Sequence, residues 1–191
     1  MKIAVVSDIH GNINNLKKFI KYIDEEDINI VFNLGDILGG ENPVEALKII
    51  MNDKRFINVC GNHDESLINI KEDLTREEIK WLEKLPKQKV INIENNRFLL
   101  LHSRINDNKS IPFLYNEKSL EEFLRDYEGK WDYVLFGHTH YQCLLSFYTG
   151  KIMVNPGSLG LSYDEKISFA IIDENEGEID IIFKKIDNDS V

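Results

Sequence analysis

The chain has 191 residues, 42% of them hydrophobic and 29% charged, which is enough apolar material for one globular domain with a buried core. Two cysteines are too few for a disulfide framework, and this excludes a small secreted scaffold stabilised by disulfides. The net charge of −10 argues against a general binder of nucleic acids or anionic membranes, because such proteins need a basic face.

The sequence carries no recognisable targeting signal. The apolar run Ile3–Val6 is interrupted at Ser7, too early for the core of a signal peptide, and no run approaches the ~20 apolar residues of a membrane-spanning helix. Cys60 and Cys143 lie in apolar surroundings and are predicted to be free thiols in a reducing compartment. We therefore expect a cytoplasmic protein with no membrane contact. The sequence leaves open whether the protein forms a homo-oligomer.

The first half of the chain alternates predicted strands and helices. Apolar runs typical of buried strands cover Ile3–Val6, Ile28–Leu34 and Phe56–Cys60. An apolar stripe with helical spacing follows the first run, at Leu16, Phe19, Ile20 and Ile23. Asn42 and Pro43 are typical of the start of a second helix. This β-α-β-α-β order predicts parallel strands with right-handed crossovers.

The second half begins with one more helix and then changes to strands. Thr75 and Glu78 have the spacing of a capping box, and Pro86 ends that helix. A further helical stripe contains Leu120, Phe123, Leu124 and Tyr127. Turns are predicted at Asn95-Asn96 and Thr149-Gly150. The predicted strands are Val90–Ile93, Phe98–Leu101, Tyr133–Phe136, Cys143–Tyr148, Ile152–Val154, Ser168–Asp173 and Glu178–Lys185.

These elements predict one α/β domain covering residues 1–191. Since the strand order mixes parallel crossovers with hairpins, we expect two mixed β-sheets packed face to face with helices on the outside. The predicted architecture is therefore a four-layer α/β/β/α sandwich.

Polar residues directly follow five of the predicted strands, and they include all five histidines of the chain. They are Asp8 and His10, Asp36, Asn62-His63-Asp64, His102, and His138 with His140. Because ligands of open α/β sheets bind outside the carboxyl ends of the strands, these loops are expected to converge on one crevice. A structural role explains any one of these residues equally well, but five separate explanations would then be needed for the histidines.

The residue types indicate a metal site. Asp8 and His10 are two residues apart, so in extended backbone both side chains project to the same side, and His138 and His140 repeat this spacing. Imidazole, carboxylate and amide oxygen ligands suit Mn²⁺, Fe²⁺ or Zn²⁺. Six or seven such ligands exceed the needs of one catalytic ion, whereas two ions about 3.5–4 Å apart that share one carboxylate use them all.

The same motifs, in the same order, resemble the signatures of the calcineurin-like metallophosphoesterases. The matching segments are Asp8-Ile9-His10, Gly35-Asp36, Gly61-Asn62-His63-Asp64, His102 and Gly137-His138-Thr139-His140. Asn155-Pro156-Gly157-Ser158 resembles a further signature of the small prokaryotic phosphodiesterase branch.

This resemblance implies a dinuclear metal site. One ion would be held by Asp8, His10 and His140, the other by Asn62, His102 and His138, and Asp36 would bridge the two. Mn²⁺ is the expected ion, with Fe²⁺, Zn²⁺ and Ni²⁺ as alternatives.

The resemblance also implies two catalytic residues and a reaction. His63 would face the substrate phosphate and assist the leaving oxygen, and Asp64 would be the neighbour that orients His63. The implied activity is hydrolysis of a small phosphate ester by a water that the two metal ions activate.

The chain departs from the Ser/Thr protein phosphatase branch in one informative place. Gly39 and Gly40 stand where that branch has an Asp-Arg pair whose arginine clamps the substrate phosphate. The absence of this arginine favours phosphodiesters over phosphomonoesters as substrates. Ser103 replaces the more usual glycine after His102, and Arg104 is predicted to be a solvated loop residue rather than a phosphate contact. The aperiodic segment Asn106–Leu114 is expected to overhang the site.

Two other functions stay open at this stage. The first is a catalytically silent protein-interaction scaffold on the same fold, which arises in the family through loss of ligand or catalytic histidines, but this chain retains them all. The second is a nuclease, against which stand the acidic charge and the lack of a basic tract, so no stable nucleic-acid binding is expected.

Overall fold

The computed structural model describes residues 1–66, 73–105, 107–110, 125, 127, 131–147 and 150–188. Its helices are α1 (Ile13–Glu25), α2 (Pro43–Asn52), α3 (Asn62–Glu65) and α4 (Arg76–Glu83). Its strands are β1 (Lys2–Val6), β2 (Val31–Asn33), β3 (Phe56–Asn58), β4 (Gln88–Ile93), β5 (Asn96–Leu101), β6 (Tyr133–Leu135), β7 (Gln142–Ser146), β8 (Ile152–Pro156), β9 (Ile167–Asn175) and β10 (Glu178–Ile186). Among these residues, no helix is long and apolar enough to cross a membrane.

The strands form two mixed sheets of five strands each, as the sequence predicts. The first sheet has the order β10-β9-β1-β2-β3, in which β1, β2 and β3 run parallel. The second has the order β4-β5-β6-β8-β7, in which β5, β6 and β8 run parallel. Hairpin strands complete both sheets with antiparallel pairing.

Three apolar clusters show how the two sheets and the helices pack in layers. The cluster between the sheets contains Val5 and Phe32 from the first sheet and Leu100 and Val154 from the second, so the sheets pack face to face. The opposite face of the first sheet packs against α1, α2 and α4. The outer face of the second sheet is covered by Tyr127, which is 1% exposed. The rest of the helix predicted near it lies outside the described residues, Arg125 excepted.

Two local predictions need correction. The register pairs Ile93 with Asn96, so the hairpin turn consists of Glu94 and Asn95 rather than Asn95-Asn96. Glu94 takes the left-handed conformation, with a φ of 49°, that such a two-residue turn requires. The short helix α3 was not predicted, because four residues carry no helical periodicity. The predicted turn at Thr149-Gly150 lies partly outside the described residues.

The start of α4 confirms the predicted capping box. The Thr75 hydroxyl accepts a hydrogen bond from the backbone N–H of Glu78 at 3.3 Å, and the Glu78 carboxylate accepts one from the Thr75 N–H at 2.6 Å. Two donors that the helix itself leaves unpaired are thereby satisfied. Because Leu82 on this helix is buried against the first sheet, the cap also supports the core.

Replacing the capping residue tests this local stabilisation. We expect Thr75→Ala to lower the free energy of unfolding by about 1 kcal/mol, because the Glu78 N–H loses its acceptor. Thr75→Ser keeps a hydroxyl and is expected to retain most of that stability. Urea unfolding curves of both variants measure the difference, and equal stability of the alanine variant and the parent would contradict the interpretation.

Candidate metal centre

Backbone hydrogen bonds fasten the loops after β1 and β2 to each other. The N–H of Asp8 donates to the Gly35 carbonyl at 3.0 Å, and the N–H of His10 donates to the Asp36 carbonyl at 3.0 Å. The parallel pairing of β1 and β2 therefore continues past the strand ends. As a result, the carboxylates of Asp8 and Asp36 are buried side by side, with 0% and 1% exposure.

Five of the predicted site residues have left-handed backbone. Their φ angles are 54° for Asp8, 44° for His10, 56° for Asp36, 66° for His138 and 61° for His140. The predicted extended backbone at Asp8 and His10 and at His138 and His140 is therefore wrong, and these side chains meet through left-handed backbone. Non-glycine residues adopt this conformation rarely and at a cost, and it is concentrated where a site needs a particular side-chain direction.

The first group of side chains consists of Asp8, His10 and His140. The Nε2 atom of His140 lies 3.3 Å from Oδ1 of Asp8 and 3.2 Å from Nε2 of His10. The Nε2 atom of His10 lies 3.7 Å from the same Asp8 oxygen. Three potential ligand atoms thus face one point, with spacings that suit a single cation between them.

The second group consists of Asp36, Asn62, His102 and His138. The Nε2 atom of His102 lies 3.3 Å from Oδ2 of Asp36 and 3.1 Å from Oδ1 of Asn62. Ligand atoms of Asp36, His102 and His138 lie within 4.8 Å of one another. All the residues that the sequence proposes for the second ion are therefore brought together.

Two backbone carbonyls orient the histidines of the second group. The carbonyl of Leu34 lies 2.8 Å from Nδ1 of His102, and that of Lys109 lies 3.1 Å from Nε2 of His138. Because a carbonyl only accepts, each of these ring nitrogens must carry its proton. When such a ring is neutral, its other nitrogen carries the lone pair, and this is the form that binds a metal ion. The sequence did not predict either carbonyl contact, because a sequence motif contains no information on the direction of main-chain groups.

Asp36 lies between the two groups. Its Oδ2 is 3.8 Å from Nε2 of His10 and 3.3 Å from Nε2 of His102. Its Oδ1 accepts a hydrogen bond from the N–H of His63 at 2.8 Å. One oxygen is therefore held by the backbone while the other faces both groups, the arrangement that a bridging ligand requires.

The donor set fits a pair of divalent cations. Oδ1 of Asp8 is buried and has no hydrogen-bond partner, which is costly for a carboxylate oxygen unless a cation compensates it. Burial raises the pKa of Asp8, but contacts with His140 and His102 outweigh it and bring the pKa down to about 2. Burial lowers the pKa of His102, but Asp36 and Asp8 outweigh it and raise the pKa to about 9. The centre thus keeps the Asp8 carboxylate ionised and attracts positive charge.

Asp64 has a different role from the one predicted. Its carboxylate accepts hydrogen bonds from the backbone N–H groups of Asp36, Ile37, Leu38 and Gly61, at 2.9 to 3.0 Å. No hydrogen bond joins it to the His63 ring in the described part of the chain. Burial and the Asp36 charge raise the pKa of Asp64 to about 6. Asp64 therefore holds the loop that carries Asp36 and does not orient His63.

His63 lies at the open side of the centre. Its ring is exposed and stands edge-on to the ring of His10, with 4.9 Å between the centroids. Gly39 and Gly40 run close beside these rings with φ angles of 114° and 60°. A Cβ on Gly40 would overlap the His10 carbonyl, so this loop has no room for an arginine that clamps phosphate.

The Asn155-Pro156-Gly157-Ser158 segment joins the loops of the centre. The Asn155 side chain donates to the Gly137 carbonyl at 2.7 Å, beside His138. The Ser158 hydroxyl donates to the Asp8 carbonyl at 2.8 Å. Both residues are buried, and they position metal-site loops without supplying a ligand atom. Sequence reasoning noted this motif but assigned it no role.

The segment after His102 reaches the centre only in part. Ser103 donates to the Ser110 carbonyl, which closes the loop and presents the Lys109 carbonyl to His138. Residues 106 and 111–114 of the segment predicted to overhang the site lie outside the described residues. Arg104 pairs through its backbone with Asp107 and is not among the residues that line the cleft.

The centre opens into a cleft of about 580 Å³. Its lining combines site residues with a wall of mostly neutral side chains and one acidic residue, Glu41. The lining residues are His10, Gly11, Asn12, Ile13, Asn14, Asn15, Asp36, Gly40, Glu41, Asn42, His63, His138, His140, Gly160, Leu161 and Asn188. No lysine or arginine is among these described residues. A cleft of this size exceeds the needs of one phosphate group and leaves room for the organic part of an ester.

Because Asp64 holds the loop that carries Asp36, replacing it should affect both stability and metal binding. Asp64→Asn places an NH₂ group against two of the four backbone donors, so we expect a loss of about 3 kcal/mol in unfolding free energy and weaker metal binding. Thermal unfolding and metal titration measure both quantities. Unchanged stability combined with lost turnover would instead support an orienting role on His63.

Known proteins resemble this chain over most of its length. Residues 1–177 match the family described as the calcineurin-like phosphoesterase superfamily domain. The uncharacterized protein MJ0912 of Methanocaldococcus jannaschii is 29% identical, over 94% of this chain and 86% of that protein. Phosphodiesterase MJ0936 of the same organism is 24% identical, over 82% and 83%.

Solved structures share the fold at lower identity. A metallophosphoesterase from Sphaerobacter thermophilus superposes with a TM-score of 0.76 at 22% identity, over 98% of this chain and 89% of that one. Vps29 of Entamoeba histolytica, in a structure complexed with Zn²⁺, gives a TM-score of 0.64 at 22% identity, over 98% and 99%. With a family match over nearly its whole length and the two-sheet fold of these structures, the chain belongs to the calcineurin-like phosphoesterase superfamily.

Proposed function

We propose that this chain is a phosphoesterase that uses two divalent metal ions and hydrolyses phosphodiesters in preference to phosphomonoesters. The observation that carries the proposal is the position of Asp36, one oxygen of which faces both groups of histidines. The neighbouring Oδ1 of Asp8 supports it, because this oxygen is buried without a hydrogen-bond partner, whereas a purely structural carboxylate would have both oxygens satisfied by hydrogen bonds.

Each of the two groups of side chains described above is proposed to bind one ion. Asp8, His10 and His140 hold one ion. The other is held by Asn62, His102 and His138, and Asp36 serves both. When bound, two such ions supply an activated water and the positive charge that phosphoryl transfer needs. We propose Mn²⁺ because the set mixes imidazole with carboxylate and amide oxygen and contains no thiolate.

His63 is proposed as the acid that protonates the leaving oxygen. It is the one site histidine assigned to neither ion, and its ring is exposed in the cleft beside His10. The hydrogen bond from its backbone N–H to Asp36 fixes the ring near the centre. An imidazole so placed can donate a proton to a departing alkoxide.

The preference for diesters is inferred from charge. A monoester dianion carries one more negative charge than a diester and is usually held by a guanidinium. The described lining of the cleft has no arginine or lysine, and Gly39-Gly40 excludes one at the family's usual place. The free thiols Cys60 and Cys143 suit a reducing compartment, so we place the activity in the cytoplasm.

A protein-interaction scaffold is the second candidate, because Vps29, whose name refers to protein sorting, has the same fold. Against it stands the full set of site side chains, which here are oriented by buried hydrogen bonds.

Metal content provides the first test. We expect two Mn²⁺ ions per chain in the parent protein and one in His102→Ala, since that variant removes the buried ligand of the second group only. His63→Ala is the matched control and should retain two ions. Elemental analysis after equilibrium dialysis gives the stoichiometry, and a single ion in the parent would overturn the dinuclear proposal.

Turnover provides the second test. With Mn²⁺, bis(p-nitrophenyl) phosphate should be hydrolysed faster than p-nitrophenyl phosphate. His63→Ala should lower kcat by about 10²-fold or more for diesters with a poor, strongly basic leaving group, because such a leaving group needs the proton. The loss should be smaller for p-nitrophenolate, which leaves without one.

Two results would count against this assignment. An equal loss with both leaving groups would remove His63 from the role of acid. No hydrolysis of either ester across several divalent metals would favour the scaffold.

A further inference from the structure

The exposed aromatic side chains at the mouth of the cleft have no role in the chemistry described above. Among the described residues, seven large hydrophobic side chains are exposed, and three of them lie here: Tyr141, Leu161 and Tyr163, at 58%, 59% and 69% exposure. All three lie on the segments that adjoin His140. Scattered exposed apolar residues need no explanation, but a cluster at a reactive centre does.

Tyr141 and Tyr163 are arranged as a rigid platform. Their rings stack in parallel, with centroids 4.4 Å apart and an angle of 11° between the planes. The Tyr163 ring also lies 6.1 Å from the ring of His140. The platform therefore lies beside a proposed metal ligand, just outside the residues that line the cleft.

Leu161 extends this apolar surface into the cleft itself. It lines the main cleft together with Asn15 and Gly160, and the same three residues line an adjoining cavity of about 280 Å³. The space available to a substrate thus continues past the centre on the side of Leu161.

The charge of the wall restricts what this space can hold. The described lining of the main cleft offers amides, Ile13, Leu161 and Glu41 but no lysine or arginine. That of the adjoining cavity has one lysine, Lys166, which pairs with Asp187 at 2.8 Å, so a second phosphate would find no unpaired positive partner. An uncharged arm with a planar face would gain contact with Leu161 and Tyr163. The same aromatic surface favours a planar arm over an aliphatic one of similar size.

We propose that Tyr163, supported by Tyr141 and Leu161, binds an uncharged aromatic arm of the substrate diester. This inference rests on the proposed function and adds to it the class of substrate: a phosphodiester with a single negative charge and at least one planar aromatic group. Tyr163 and Leu161 are thereby specificity-determining residues, and Tyr141 is a positioning residue that holds the Tyr163 ring.

The experiment compares two diesters with the same leaving group, phenyl p-nitrophenyl phosphate and methyl p-nitrophenyl phosphate. The parent with Mn²⁺ is expected to prefer the phenyl diester about tenfold in kcat/KM, within the range that stacking on an aromatic side chain provides. Tyr163→Ala and Leu161→Ala should each reduce this ratio several-fold. Tyr163→Phe keeps the ring and should keep the ratio, as should Val90→Ala, an exposed apolar residue on β4.

A binding measurement separates this inference from the proposed activity. Calorimetry with diphenylphosphinate and dimethylphosphinate, two monoanions that are not hydrolysed, should give the same preference in the parent and its loss in Tyr163→Ala. Absence of hydrolysis with the binding preference intact would overturn the proposed function and support the aromatic subsite. Equal ratios in Tyr163→Ala and the parent would overturn the subsite alone.

The oligomeric state of Tyr163→Ala is measured alongside by light scattering. A dimeric parent that becomes monomeric in this variant would overturn the subsite and assign the tyrosines to an interface between copies of the chain.

Discussion

The structure depends on the burial of two carboxylates, Asp8 and Asp36, at the ends of neighbouring parallel strands. A charge removed from water must be compensated by other polar or charged groups, and the two carboxylates are compensated in the same way. One oxygen accepts a backbone N–H, from His138 for Asp8 at 3.0 Å and from His63 for Asp36 at 2.8 Å. The other oxygen faces the imidazoles. The bond to Asp8 thus connects loops of the two sheets, and the bond to Asp36 connects two loops of the first sheet. The remaining two oxygens define where positive charge is needed.

Fixing these oxygens requires an unusual backbone. Left-handed conformation costs roughly 1 kcal/mol for each non-glycine residue that adopts it, and Asp8, His10 and Asp36 do so within two adjoining loops. The cost is offset by hydrogen bonds that no regular element supplies. Those from four backbone N–H groups to Asp64 are the clearest example, because Asp64 is 2% exposed and its bonds hold the loop after β2. The centre is therefore preorganised by its neighbours and not only by the ions it would bind.

The sequence predicted the two sheets and the convergence of the site residues because both follow from local patterns. Apolar runs mark the strands, and polar residues at their ends must meet when the strands run parallel. The direction of each side chain was not predictable in this way. Asp8 and His10 meet through left-handed backbone rather than an extended chain. Asp64 stands beside His63 in sequence, yet its carboxylate points into the loop after β2, because unpaired N–H groups there outcompete an exposed imidazole.

The acidity of the chain and its membership of a phosphoesterase family are compatible for an electrostatic reason. Asp8 and Asp36 belong to the net charge of −10, but they lie buried against imidazoles and do not form part of the acidic surface. Two divalent ions would bring more positive charge than these carboxylates cancel, so the centre would attract one phosphate while the surface repels polyanions. The neutral amides of the cleft wall add no second anion site. We propose that selection among small phosphate esters then rests on shape and apolar contact, which Leu161 and Ile13 offer in the described part of the wall.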